Sequence, residues 1–259
     1  MQGLTGWVRA IYRRKLPKLI LAYLQDLNFV KIVEAMWLVS IEGYGQASAC
    51  LNIGAGDSYH TLLFSRRYTL TVNLDTDFER LACSKVWLSG RRGNMDVAYL
   101  CAAAECLPFR PSIDTDIVAM SAIEHFANQN RALSEFAWTM KIGSCLFLTT
   151  DSLSGAPVSI RRAHSSKFHV RNNYDVNSIA SLAVQLGLDS LREDYFVNNS
   201  VCKALFDFGI RTNFGIAYSL AVPLMVPATI FLDTATGAKN GYFFRAVFRK
   251  SYSLHNLHA

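Results

Sequence analysis

The run Ala49-Cys50-Leu51-Asn52-Ile53-Gly54-Ala55-Gly56 constrains this chain most, because an apolar strand entering Gly-x-Gly directly is a junction built for close backbone approach. Glycines there remove Cβ atoms, and a following helix turns free N–H groups and its positive dipole end toward a carboxylate or phosphate. A short Gly-x-Gly also occurs in ordinary turns, so the signal needs the rest of its unit. Tyr68-Thr69-Leu70-Thr71-Val72-Asn73-Leu74-Asp75 supplies it. This is a second β-rich segment ending in a carboxylate about 20 residues after the glycines, where βαβ nucleotide binders place the acid for the ribose hydroxyls. Residues His60 to Arg67 fill the crossover as a predicted helix. A nicotinamide fingerprint wants a third glycine at position 59, where Tyr59 stands, so an NAD reading loses ground.

The pattern continues along the chain. Strands are predicted near 49 to 53, 69 to 75, 96 to 101, 116 to 121, 143 to 150 and 189 to 197, with helices between the earlier ones, and Gly241 to Lys250 alternates as a final strand. Such alternation implies a doubly wound α/β fold with a mostly parallel sheet covered on both faces. At 259 residues and 51% hydrophobic the chain can bury one sizeable core but not two full domains. Leu4, Trp7, Val8 and Ile11, then Leu16, Leu19, Ile20, Tyr23, Leu24 and Leu27, recur at helical spacing. We therefore divide the chain into an N-terminal helical extension, 1–45, and a core, 46–259, with an apolar insertion at about 199–240.

Five segments in this order resemble the class I S-adenosylmethionine-dependent methyltransferases, in the broad small-molecule branch. Leu51-Asn52-Ile53-Gly54-Ala55-Gly56 is similar to the first motif of that family, and Val72-Asn73-Leu74-Asp75 to its strand ending in the ribose acid. Ala104-Glu105-Cys106-Leu107-Pro108-Phe109 resembles the loop on the adenine side, and Asp116-Ile117-Val118 with Ser121-Ala122-Ile123-Glu124-His125-Phe126 the fourth strand and its ending. His169-Val170-Arg171-Asn172-Asn173-Tyr174, followed by an apolar helix to Gly187-Leu188, is similar to a late segment. The resemblance spans about residues 48 to 190. It implies a Rossmann-like seven-stranded sheet with an antiparallel last strand, S-adenosyl-L-methionine as cofactor, and cofactor contacts from Asn52, Gly54, Gly56, Asp75, Ala104, Glu105 and Ser121. Three positions depart from the family. Asn52 stands where an acid usually holds the methionyl ammonium, Ser58 replaces a frequent glycine, and Ala103 replaces the Asp that usually binds the adenine amino group. The resemblance therefore implies methyl transfer to a small-molecule acceptor, with a catalytically inactive binding or partner subunit as the alternative.

Methyl transfer from a sulfonium reduces to positioning the acceptor and excluding water, with a general base where the acceptor holds its proton tightly. His125, after the fourth strand at the carboxyl edge, is the candidate base, against a role in shaping the cofactor pocket. Arg161, Arg162 and Lys167, with His164 and His169, are expected on a solvated loop after strand five that could instead clamp an anion. The formal charge of +6 comes partly from Arg9, Arg13, Arg14, Lys15 and Lys18, a basic stretch suited to an anionic surface. No reading motif for nucleic acid occurs. Cysteines at irregular spacing suggest a reducing compartment, no metal-ligand spacing occurs, and no secretory signal is evident, so a cytoplasmic protein is expected. From Phe214 to Leu232 there is no charge. That run reads either as a lid over a lipophilic or lipid- or glycan-linked acceptor, with peripheral membrane contact, or as a helix buried in the core. The oligomeric state is not legible.

Overall fold

The computed structural model describes residues 29–41, 44–89, 96–153, 155–171, 176–215, 218–220, 231–232 and 240–252. In chain order these form α1 (Phe29–Ser40), β1 (Ala49–Ile53), α2 (Thr61–Phe64), β2 (Leu70–Asp75), α3 (Phe78–Ser89), β3 (Asp96–Cys101), β4 (Thr115–Met120), α4 (Gln129–Thr139), β5 (Cys145–Asp151), α5 (Val158–Phe168), α6 (Val176–Gln185), β6 (Leu188–Phe196), α7 (Ser200–Arg211) and β7 (Phe243–Lys250). The strands make one seven-stranded sheet in the order β3-β2-β1-β4-β5-β7-β6. β7 runs antiparallel between β5 and β6, and the other pairings are parallel, as the resemblance implied.

Period-two alternation explains the layering. Leu51 and Ile53 face one side of the sheet with Ile117, Ala119, Leu146, Leu148, Ala246 and Phe248, beneath α4 and α6. Cys50, Val118, Met120, Phe147 and Val247 face the other side, beneath Trp37 and Leu38 of α1 and Phe64 of α2. Every residue of β4 and β5 is buried, as expected of central strands covered on both faces. A third cluster packs Phe196, Phe206, Phe214, Tyr218 and Phe243 with Phe29 and Val30 of α1. The portion of the charge-free run that is described thus begins in the core, with Phe214 and Tyr218 buried, while Leu220 and Phe231 are exposed. Residues 1–28, which carry the basic stretch, and Asn172 to Tyr174 lie outside the described residues.

Two elements differ from the sequence expectation. The crossover after β1 holds only the single turn α2 followed by a 3-10 turn at Ser65–Arg67. Gly54, Gly56 and Ser58, all with positive φ, use up the first part of that connection. The segment after β5 is the helix α5 rather than a loop, with Ile160 and His164, one turn apart, on its buried face.

Candidate functional site

The chain order reverses between β1 and β4, so their carboxyl ends open a crevice rather than being bridged by adjacent loops. A cavity of about 640 Å³ occupies it. At one end lies the glycine junction, with Gly54 at φ +65° and Gly56 at φ +49°. The Gly56 N–H donates to Asp75 Oδ2 at 2.7 Å and the Asp77 N–H to Asp75 Oδ1 at 2.9 Å, so the β2 carboxylate is held against the loop. Arg80 lies over Gly56, where an added Cβ would sit 2.6 Å from its guanidinium. Its Nε stands 3.6 Å from Asp57 Oδ1.

Ala103, Ala104 and Glu105 line the next part of the cavity. Glu105 Oε1 already accepts from the N–H groups of Ala127 (2.7 Å) and Asn128 (3.2 Å), tying this loop to the segment after β4. Asn52 is placed differently from the other sequence candidates. Its side chain is buried, its Nδ2 donates to Asn73 Oδ1 at 3.0 Å and Thr61 Oγ1 at 3.3 Å, and it is absent from the cavity wall. Asn52 and Asn73 stand opposite each other in the β1–β2 register, and Thr61 opens α2, so this trio pins the turn to the sheet.

The far end is polar and deep. Ser121, at φ 44°, donates its hydroxyl to Glu34 Oε1 at 2.5 Å, and Thr149 does so at 2.7 Å, while Lys31 Nζ lies 3.0 Å from Glu34 Oε2. Burial opposes ionisation of Glu34, but Lys31 and these hydroxyls outweigh it and hold the carboxyl below its ordinary value. Glu124 accepts from Thr150 Oγ1 at 3.1 Å. Burial and then the Asp151 charge lift its carboxyl well above the usual range. Asp151, at the end of β5, has His164 Nε2 3.5 Å from its Oδ2. Burial lowers His164 to about 4, and His60, also buried on the wall, to about 3, so both imidazoles are neutral near pH 7.

His125 ends a 3-10 turn at Ile123–His125 and lines the cavity from an exposed position, its Nδ1 3.4 Å from the His169 carbonyl. The protein around it desolvates the ring enough to lower its pKa. His169 is the left-handed cap of α5 and also lines the cavity. Arg161 and Arg162 are on the exposed face of α5 and take no part in the wall, and Lys167 turns away to bond Asn213 and lie 4.6 Å over the Phe214 ring. The site thus gathers Gly54, Gly56, Asp75, Ala104, Glu105, Ser121, His125, His164 and His169 from the sequence reading, and adds Lys31, His60 and Asp151. Asp151 was findable by the logic that picked Asp75, a carboxylate closing a strand at the carboxyl edge. Lys31 and Glu34 carry no such signal, since they sit inside an amphipathic helix.

Burial pushes Asp151 up to about 7, from an ordinary 3.8, against the pull of Lys31 and with the help of Glu34. Between those values the folded chain keeps a proton that the unfolded chain has shed, so stability from this group is greatest below pH 3.8 and falls as pH rises toward 7. Asp151→Asn should therefore stabilise the ligand-free protein at pH 7.5 by about 1 to 3 kcal/mol, with little gain at pH 4.5. Denaturant melts at the two pH values check this.

Residues 51–148 match a family model described as a methyltransferase domain. No curated protein matches the sequence. Solved structures resemble the fold at low identity. Geranyl diphosphate C-methyltransferase from Streptomyces coelicolor A3(2), in complex with Mg2+, geranyl diphosphate and S-adenosyl-L-homocysteine, aligns at TM-score 0.63 and 12% identity over 85% of this chain and 77% of that one. The YcgJ protein from Bacillus subtilis aligns at TM-score 0.59 and 14% identity over 85% and 99%. The [4+2]-cyclase SpnF aligns at TM-score 0.60 and 15% identity over 85% and 81%. These likenesses are to the fold, which by itself hosts more than one chemistry.

Proposed function

We propose that this chain is a class I S-adenosylmethionine-dependent methyltransferase and transfers a methyl group to a small-molecule acceptor bound at the deep end of its cavity. One observation carries the reading. The glycine junction and the β2 acid, at one end of the cavity, are continuous with Glu124, Asp151 and His164 at the other, so a nucleoside and an acceptor can lie end to end.

The residues fit the nucleoside half. Gly54 and Gly56 present bare backbone, since a Cβ on Gly54 would stand 2.6 Å from the Ala122 Cβ. The Asp75 carboxylate, steadied by two backbone N–H groups, keeps lone pairs for a ribose diol. Ala103 offers no acid to an adenine amino group and Glu105 is already engaged, which leaves backbone groups of this loop to read the base edge. When bound, S-adenosylmethionine supplies an electrophilic methyl group, and the protein supplies alignment and dryness. Val30, Phe168 and Phe243 make an apolar wall suited to the body of a lipophilic, lipid-linked or glycan-linked acceptor. We assign His125 to proton transfer at the cavity mouth, because its lowered pKa leaves the ring neutral and able to accept near pH 7. Ser121 and Asn52 act through position, Ser121 on Glu34 and Asn52 on the turn after β1.

Calorimetry with S-adenosylmethionine and S-adenosylhomocysteine tests the proposal. Asp75→Ala should weaken both by roughly 10- to 100-fold, as expected for lost bonds to a charged group. Absence of binding to the unaltered protein at millimolar ligand would sink it and leave the catalytically silent subunit, the reading that the Ala103 position favours. For peripheral membrane contact the support is the charge-free run together with the exposed Leu220 and Phe231. No helix among the described residues is long and apolar enough to cross a membrane.

A further inference from the structure

We propose that the deep end of the cavity docks a protonated amine of the acceptor between the carboxylates of Glu124 and Asp151. This rests on the methyltransferase reading above and names the class of acceptor. Two carboxylates line this end, Glu124 at 1% and Asp151 at 4% exposure, with a third, Glu34, at 0% exposure behind the wall, and only Glu34 is compensated. Glu34 has Lys31 and two hydroxyls. Glu124 has the Thr150 hydroxyl and its own backbone N–H, and Asp151 has only a neutral imidazole at 3.5 Å, beyond a good hydrogen bond. An ionised carboxylate offers about four acceptor sites, so the pair is short of donors.

Lys31 is the one cation among the described residues whose charge acts on both, and it is already paired with Glu34. Arg80 is turned to Asp57, and Arg171, an exposed lining residue, reaches Glu124 by its backbone N–H to the Glu124 carbonyl at 3.0 Å. His60, His125 and His164 are all shifted toward the neutral form. His164 Nδ1 is buried without a hydrogen-bond partner, a further acceptor or donor left for a ligand. In the free protein protons answer the shortage, since burial lifts both acids. An ammonium brings the charge and up to three N–H donors in their place, whereas a hydroxyl cannot displace the protons. Val30, Phe168 and Phe243 take the adjoining hydrocarbon.

Hexylamine and hexanol, matched in shape, are the probes, titrated calorimetrically into the full chain from pH 5.5 to 8. Hexylamine should bind at least tenfold more tightly than hexanol at pH 7.5 and lose up to about tenfold per unit as pH falls below 7, because the acids must be ionised to receive it. Glu124→Gln with Asp151→Asn should erase the difference while S-adenosylhomocysteine affinity stays within about threefold. Equal affinity for the two probes, or an amine affinity flat across pH, overturns the proposal in the unaltered protein, with no variant required. Competition between S-adenosylhomocysteine and hexylamine also overturns it, by assigning the acid pair to the amino-acid ammonium of the cofactor. Should the amine bind as described but S-adenosylhomocysteine not bind at all, the methyltransferase reading fails and the cation site stands.

Discussion

Gly54→Ala should abolish measurable binding of S-adenosylhomocysteine and lower stability by about 2 to 4 kcal/mol. Two independent costs combine at this residue. The backbone sits at φ +65°, where a non-glycine residue is strained by about 1 to 2 kcal/mol. The new methyl would also stand 2.6 Å from the Ala122 Cβ, an atom fixed to the backbone beyond β4 with no rotamer to escape through. Relief requires the β1 loop or the β4 loop to move, and both edges belong to the cavity. A thermal melt measures the first effect and calorimetry the second. An alanine variant that binds the nucleoside normally would place the cofactor elsewhere.

His125→Ala should lower turnover by roughly 10² to 10⁴ and remove the acidic limb of the rate profile. The sign follows from the ring. Desolvation lowers its pKa, so the accepting neutral form dominates near pH 7 and is lost only as pH drops through that lowered value. A ring that merely shapes the wall would leave the profile intact and instead weaken cofactor binding, so the shape of the profile separates the roles. The bond of Nδ1 to the His169 carbonyl, at 3.4 Å, orients the ring from the cap of α5. His125→Gln keeps a donor of similar reach and should bind the cofactor as the unaltered protein does while failing to recover the rate.

How much was legible in advance depended on whether a residue acts through its own stretch of chain. Gly54, Gly56 and Asp75 were readable because a strand that stops at a glycine turn, and another that stops at a carboxylate, are local statements about backbone and charge. The boundaries of β1 and β3 fall where alternation puts them, since period two is a property of a few consecutive side chains. Asn52 shows the limit. Its position in a motif suggested a ligand, but its partner in the sheet register is Asn73, and a buried amide bonds what stands beside it. The segment holding His164 looked polar and therefore looped, yet Ile160 and His164 share one buried stripe while Arg161 and Arg162 face water.

The order of strands and turns, the glycine junction, the acid on β2 and the ending of β4 were thus determined by the sequence alone, through periodicity and backbone chemistry that neighbours cannot alter. Tertiary structure alone decided the acid-rich end of the cavity. Glu34 comes from the helix before the sheet, Glu124 from the turn after β4, Asp151 from the end of β5 and His164 from the helix beyond it. They meet only because the sheet sets β4 beside β5, with α1 bringing Glu34 against Thr149 and α5 bringing His164 against Asp151. Their protonation was equally out of reach, since it is burial, a property of the assembled interior, that lifts Glu124 and Asp151.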